Sequence, residues 1–440
     1  MITIDYNFVI DEIIGKNGLS LNDLNILNKK AKNIHDKIKK GNLGFIQLLN
    51  QNLQKIYEKL KEFQEKFKNF VVFGIGGSAL GTKAIYQACG NNKKNLNVID
   101  NIDPDYFKSF IEKIDISNTL FIIISKSGKT SETISQFLII KDLLEKNFKE
   151  KYKERLIIIT DPEKGGLRKF ARNENILSFE VPENVGGRFS VLSPVGLVPL
   201  YLAEISIENL IEGAKNIYKN CQSDDIFSNP SYLSGAIQYL SYLNGKKISV
   251  IMPYSSKLEY FAEWFRQLWA ESLGKNEKVG PTPVKAIGVT DQHSQLQLFM
   301  DGPNDKIITF IEIENFENIV KIPELKNYED FEFLYGKSLN QLFKTEFESV
   351  KIALAKKGKL NYTIKIDKLN EFTMGELILF FELQTVFTGF LFNINPFDQP
   401  GVEEGKNFTY GLMGKKGYEN KKKEFYKFKE KLSDKFILKG

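Results

Sequence analysis

Residues 119–133 read Thr-Leu-Phe-Ile-Ile-Ile-Ser-Lys-Ser-Gly-Lys-Thr-Ser-Glu-Thr. Thr119 to Ile124 is a short apolar run rich in β-branched residues, the composition of a strand buried on both faces of a parallel sheet. It stops abruptly in hydroxyls around one glycine, Gly128. From Ser131 the pattern turns helical, with Ile134, Phe137, Leu138 and Leu143 near a 3.6-residue period. A strand, a tight polar loop and a helix start gather backbone N–H groups in one concave place. The helix dipole adds positive potential there, which makes the loop a phosphate seat. Ser125, Ser127 and Thr130 offer hydroxyls to phosphate oxygens, while Lys126 and Lys129 can act through the backbone or as charges. The G-x-x-x-x-G-K-[ST] spacing of a nucleotide loop is absent, so a monophosphate fits better. The competing reading is a Ser/Thr-rich cap on an ordinary βα turn.

Outward from this stretch the same rhythm repeats. Strands are expected at Phe70–Phe73, Leu96–Ile99, Leu156–Thr160 and Ile176–Val181, with helical patterns between them, as in a doubly wound parallel sheet. Ligands bind outside the carboxyl ends of such strands. Both the 125–130 loop and Gly74-Ile75-Gly76-Gly77-Ser78, which follows Phe73, belong on that edge. The glycine turn is not a dinucleotide fingerprint: Gly74, Gly76 and Gly81 miss the G-x-G-x-x-G spacing, and Asp100 is the only candidate acid downstream. Upstream, helices are expected over 20–40, opened by a Ser20/Asp23 capping box, and over 47–68, together bracing this domain. His35 reads as a solvated surface histidine. Val185-Gly-Gly-Arg-Phe-Ser190 is a polar turn presenting Arg188, or equally an interdomain linker.

A second domain follows. Helix is expected over 205–245, a strand at Lys247–Met252, and a helix over Ser256–Leu273 that places Gln267 and Glu271 on one face. Beside Trp264 and Trp269, Glu271 is a candidate general base through partial desolvation, against the plainer reading of a solvated helical glutamate. Strands or loops at Val284–Val289 precede Asp291-Gln-His293-Ser294. Strands at Ile307–Ile313 and Tyr362–Ile366 flank a helix near 337–357. Residues 371–392 read as a strongly apolar helix, buried at the domain centre or at a subunit contact, and 393–406 as an irregular loop. The tail from Lys415 is expected to dock as a helix with Phe425, Phe428, Leu432 and Phe436 on one side.

Length and composition limit the classes. A chain of 440 residues exceeds one ordinary core, and 42% hydrophobic with 26% charged residues describes a globular protein. The net charge of +6 is spread over many lysines; it suits an anionic small substrate as well as a nucleic acid, but the plainer reading, a lysine-rich solvated surface, is preferred. No basic run is interleaved with a nucleic-acid motif, so no nucleic-acid partner is expected. Cys89 and Cys221, the only two cysteines, fit a reducing cytoplasm. No signal peptide and no apolar run near the ~20 residues of a membrane span is visible, so a cytoplasmic protein without a membrane partner is expected. With two histidines, His35 and His293, no metal site and no cofactor is expected.

These motifs, in this order, resemble the phosphoglucose isomerase family in its compact bacterial form. Gly-Ile-Gly-Gly-Ser (74–78), Ser-Lys-Ser-Gly-Lys-Thr-Ser-Glu-Thr (125–133), Val-Gly-Gly-Arg-Phe-Ser (185–190), Gln-Leu-Trp-Ala-Glu-Ser-Leu-Gly-Lys (267–275), Asp-Gln-His-Ser (291–294) and Phe-Asp-Gln-Pro-Gly-Val-Glu-Glu-Gly-Lys (397–406) carry the resemblance. Pro400 stands where other members often carry tryptophan. The resemblance implies two doubly wound α/β sugar-isomerase domains, at 69–204 and 205–410, with a helical N-terminal segment at 1–68 and a helical tail at 411–440. It implies reversible isomerisation of glucose 6-phosphate to fructose 6-phosphate through a cis-enediol. Ser125, Lys126 through its N–H, Ser127 and Thr130 would hold the phosphate. Gly77, Ser78, Gln267 and Gln399 would line the substrate. Glu271 would move the proton between C2 and C1, Arg188 would stabilise the enediolate, and His293 with Lys406 would open the ring. The histidine acts across the subunit boundary in this family, so a homodimer with shared sites is implied. Two rivals are a non-catalytic sugar-phosphate sensor, which would lack Glu271, His293 and Lys406, and a bifunctional phosphoglucose/phosphomannose isomerase.

Overall fold

The computed structural model describes residues 2–91 and 93–440. Its strands are β1 (Thr3–Asp5), β2 (Asn69–Phe73), β3 (Asn95–Ile99), β4 (Thr119–Ser125), β5 (Leu156–Thr160), β6 (Ser178–Glu180), β7 (Ile248–Pro253), β8 (Thr282–Lys285), β9 (Lys306–Ile313) and β10 (Asn361–Ile366). They form two five-stranded sheets, in the orders β3-β2-β4-β5-β6 and β1-β10-β9-β7-β8. Every pairing is parallel except β1 with β10.

In the first sheet the chain steps from β2 outward to β3 and then returns to lay β4 on the other side of β2. The crevice between β2 and β4 is therefore the switch point at which parallel α/β sheets take ligands. The register sets Phe73 opposite Ile123, so the 74–78 and 125–130 loops leave the sheet side by side. All seven residues of β4 are buried. Helices cover both faces, which is why the run is apolar without alternation. The second sheet repeats the plan, with β8 on one side of β7 and β9 on the other.

Helix Glu371–Leu391 is the central beam. By length and composition it could cross a membrane, contrary to the expectation that no run comes near that length, but 89% of its most apolar window is buried inside the fold. Each Leu, Ile or Phe it buries contributes about 1.5–3 kcal/mol of transfer free energy. It packs on helices Ile207–Asn220, Pro230–Leu243 and Glu259–Leu273.

Several expectations need correction. The N-terminal segment is not purely helical, because β1 pairs with β10 and joins the second sheet. Helix Leu21–Lys40, expected to brace the first domain, packs chiefly on Pro230–Leu243 and Glu371–Leu391. His35 is not solvated: it is buried, and its Nδ1 lies 3.0 Å from the Tyr232 hydroxyl. Burial and the nearby Lys39 hold its pKa below the ordinary value. The helix expected over 47–68 begins only at Gln54, and the span 205–245 splits at Cys221–Asn229. The irregular loop ends early, since Glu403–Leu412 is helical. The tail helix Glu419–Lys429 touches Glu403–Leu412 through Phe425 on Phe408, with centroids 5.9 Å apart. Phe428, Leu432 and Phe436, expected on its docked side, are exposed.

Candidate active site

The 125–130 loop is held open by its own side chains. Ser125 Oγ and Thr130 Oγ1 lie 2.9 Å apart, and Thr160 Oγ1 donates to the Ser125 carbonyl at 2.7 Å. Gly128 sits at φ +60°, where a Cβ would also meet Thr160 Oγ1 at 3.2 Å. The loop delivers the chain into helix Ser131–Phe148 with Thr130 at the N-cap position, but no side chain caps that helix end. This argues against the plain-cap reading: the hydroxyls are turned to other uses and the first-turn N–H groups carry the helix's positive end. Ser127 is exposed at the loop tip. The Lys126 ammonium is tied back to the carbonyls of Glu183 and Val185 at 2.8 and 2.7 Å. What Lys126 can offer an anion here is therefore its backbone, and burial lowers its pKa against the pull of Asp161 and Glu183.

Across the crevice the turn Gly187–Phe189 meets the turn Gly76–Ser78. A Cβ on Gly77 would stand 2.2 Å from the Gly187 carbonyl oxygen and 2.8 Å from the Arg188 nitrogen, so only glycine lets the two backbones touch. This contact presents Arg188, which is buried and held on every side. Its Nε donates to Ser272 Oγ at 2.7 Å and its Nη1 to Gln399 Oε1 at 2.9 Å. Its Nη2 donates to the carbonyls of Pro396 and Asp398 at 2.6 and 3.1 Å. Burial lowers the Arg188 pKa, opposed by the carboxylates of Glu271 and Asp398.

Glu271 comes from helix Glu259–Leu273, which packs on the Gly76–Ser78 and Gly187–Phe189 turns and so carries second-domain residues into the first sheet's crevice. Its Oε2 lies 3.6 Å from Arg188 Nη1 and accepts from Gln267 Nε2 at 3.2 Å. Gln267 in turn closes over Gly76, where a Cβ would meet its Nε2 at 2.9 Å. Glu271 is 30% exposed, whereas Trp264 and Trp269 on the same helix point into the core. Its environment is thus set by Arg188 and Gln267 rather than by the tryptophans. Gln399 arrives on the loop after the central helix, docked by Phe397 against Phe189 with centroids 5.6 Å apart.

The structure brings Arg188, Gln267, Glu271, Gln399 and Gly77 together, with Ser78 half-buried on the same turn. Among the described residues, no hydrogen bond or ion pair ties His293 or Lys406 to this group. His293 is exposed on the turn Thr290–His293, and among the described residues it has no hydrogen bond or ion pair to another candidate. Its neighbour Gln292 is fixed, accepting from the Tyr254 hydroxyl at 2.6 Å and donating to Glu346 at 2.7 Å. Lys406 is 53% exposed and pairs with Glu403 at 3.0 Å.

Apart from Gln399, sequence reasoning missed the residues that hold Arg188. Ser272 is next to Glu271 in the quoted motif and fully buried. Lys275 closes the same motif and pairs with Asp398 at 2.9 Å, which anchors the carbonyl that Arg188 uses. Hydrogen bonding from Lys275 holds the Asp398 carboxyl below the usual range.

The architecture is a two-domain α/β fold with parallel sheets, in which an Arg–Glu pair and a hydroxyl-lined loop stand at the switch point of one sheet and a helix from the second domain completes the group. The fold agrees: the crystal structure of tagatose-6-phosphate ketose/aldose isomerase from Escherichia coli aligns with a TM-score of 0.52 at 12% identity, over 87% of this chain and 94% of that one. A crystal structure of a hypothetical protein from Thermus thermophilus aligns at TM-score 0.86 and 33% identity, over 94% of this chain and 100% of that one. The phosphoglucose isomerase family model matches residues 49–429. A glucose-6-phosphate isomerase from Carboxydothermus hydrogenoformans is 42% identical over 99% of both chains. The chain belongs to the phosphoglucose isomerase family.

Proposed function

We propose that the chain interconverts glucose 6-phosphate and fructose 6-phosphate in glycolysis and gluconeogenesis. The observation that carries this reading is the Glu271–Arg188 pair fixed beside the hydroxyl-lined loop. The phosphate sits on Ser125, Ser127, Thr130 and the Lys126 N–H, which leaves the sugar carbons at the Gly77–Ser78 turn. Glu271 takes the proton from C2 and returns it to C1. Arg188 faces the enediolate oxygen that forms between the two transfers. Because four hydrogen bonds already fix its guanidinium, it stabilises the new charge without reorganising. Gln267 orients Glu271, and Gln399 orients Arg188 and the substrate together.

Ring opening needs an acid–base pair at the ring oxygen, and His293 with Lys406 is assigned to it. As the family resemblance implies, we place a partner subunit's histidine at each site, in a homodimer. The exposed apolar side chains of Met413, Phe428, Leu432, Phe436 and Leu438 favour such an association. The division into 69–204 and 205–410 is retained as a proposal, with β1 reassigned to the second unit. A cytoplasmic location accompanies the glycolytic role.

A coupled assay of the purified chain on glucose 6-phosphate, with mannose 6-phosphate beside it, tests the reading. Turnover of the first with little of the second is expected. Comparable rates on both would point to a bifunctional isomerase, and no turnover of either to a sensor.

A further inference from the structure

The second sheet has a switch point of its own, between β7 and β9, and it is not the crevice that Arg188 occupies. The loops leaving those strands enclose a cavity of about 300 Å³, lined by Tyr254, Glu312, Phe316, Phe343 and Lys344 among others. A groove of about 780 Å³ shares Asn315, Phe316 and Phe343 with it and reaches Ser255, Lys257 and Lys368. One wall is aromatic: the Tyr254 ring lies 5.5 Å from Phe343 and 4.5 Å from Phe347, and Phe316 lies 5.8 Å from Phe343. Near the end of β9, Glu312 is only 7% exposed, and its Oε2 is buried without a hydrogen-bond partner among the described residues. Two of the nearby cations are engaged elsewhere. Lys365, its cross-strand neighbour, pairs with Asp5 at 3.4 Å, and Lys351 pairs with Glu348 at 3.3 Å. A buried acceptor in this state is relieved by a donor brought in from outside. Burial pushes the Glu312 carboxyl pKa up, consistent with the same want of partners.

We propose that this second crevice binds a phosphorylated monosaccharide, at a site separate from the one that holds Glu271. A sugar hydroxyl donates to Glu312, the C–H face of the ring lies on Phe316 and Phe343, and the phosphate meets Lys344 at the mouth. The cavity volume stands at the lower end of small-ligand pockets, the size for one sugar rather than a nucleotide. Aromatic faces and a hydroxyl acceptor recognise the two sides of a sugar, and lysine recognises the phosphate as a point charge.

The test is isothermal titration of the full-length chain with 6-phosphogluconate. Two sites per chain are expected, of which Ser127→Asp removes one. Glu312→Leu removes or weakens the other. Lys344→Glu, at an exposed position where folding is not at stake, weakens it about tenfold or more. Circular dichroism confirms that each variant is folded. One site per chain in the unmodified protein, abolished by Ser127→Asp, overturns the proposal, and so does absence of binding. One site that survives Ser127→Asp and is lost in Lys344→Glu upholds this proposal and instead contradicts the phosphate role of the 125–130 loop.

Discussion

Adding one methyl group at Gly77 tests how Arg188 is presented. The new Cβ of Gly77→Ala would lie 2.2 Å from the Gly187 carbonyl oxygen and 2.3 Å from its carbon, whereas ordinary contact begins at 3.4 Å. About 1.2 Å of relief has to be found, and both close atoms are backbone, so a rotamer change cannot supply it. The Gly187–Phe189 turn must move, taking Arg188 away from Ser272, Pro396 and Gln399. Overpacking of this kind costs about 1–3 kcal/mol of stability. A misplacement near ~1 Å at a catalytic group costs about a hundredfold in rate. We therefore expect kcat to fall about a hundredfold while KM changes by less, with urea unfolding showing a folded protein. The control is Gly187→Ala, where a Cβ would meet nothing within 4 Å. It should retain kcat within about threefold, because a surface-type change without contacts moves little. If Gly77→Ala matches that control, or if both variants lose activity equally, the close approach does not position Arg188.

Three further outcomes are expected. Thr130→Ala should raise KM more than it lowers kcat, because it removes binding common to substrate and transition state, and steady-state kinetics separates the two; Ser127→Asp should be worse, since it sets a carboxylate against a dianion. His293→Ala should slow turnover of the cyclic sugar more than turnover of an open-chain analogue, measured side by side; equal losses would make His293 a positioning residue. Glu382 is fully buried, with neither carboxyl oxygen hydrogen-bonded among the described residues, and desolvation raises its pKa well above the ordinary value. The folded chain then keeps a proton that the unfolded chain releases, so this group lowers stability as pH rises past the ordinary glutamate range, by at most about 1.4 kcal/mol per pH unit. Urea midpoints at pH 6, 7 and 8 should fall less steeply for Glu382→Gln than for the unmodified chain, and identical slopes would show that Glu382 is not held protonated.

The strands were legible because parallel strands buried on both faces leave continuous apolar runs. β4 and β5 lie within a residue of where Thr119–Ile124 and Leu156–Thr160 placed them. β1 left no such signal: three residues long and not one of them buried, it is defined by pairing with β10, far along the chain. The break at Cys221–Asn229 was written in Asn229 and Pro230, an N-cap and first-turn pair whose side-chain bond to Tyr232 N is 3.1 Å, but apolar periodicity on both sides concealed it. His35 stands four residues after Ala31 on the buried stripe, which already argued for burial; its lysine neighbours misled, and its partner Tyr232 cannot be seen locally. Residues 403–406 read as the end of a loop, although Glu403 and Glu404 supply the acidic first turn of a helix. At the candidate site the motifs brought Glu271, Gln267 and Arg188 to attention. Half of the hydrogen bonds that hold Arg188 end on backbone carbonyls, those of Pro396 and Asp398, which side-chain identity does not reveal.

The central assignment is Glu271 as the base that lifts the C2 proton. Glu271→Gln preserves shape and can still meet Gln267 and Arg188, but its amide cannot accept the proton. The measurement is kcat of Glu271→Gln for glucose 6-phosphate, taken together with binding of a phosphorylated sugar acid to the same preparation. A fall in kcat of about two to four orders of magnitude with binding largely retained is the expected result. Activity within about tenfold of the unmodified chain, in a protein that still binds the sugar acid, would contradict the assignment.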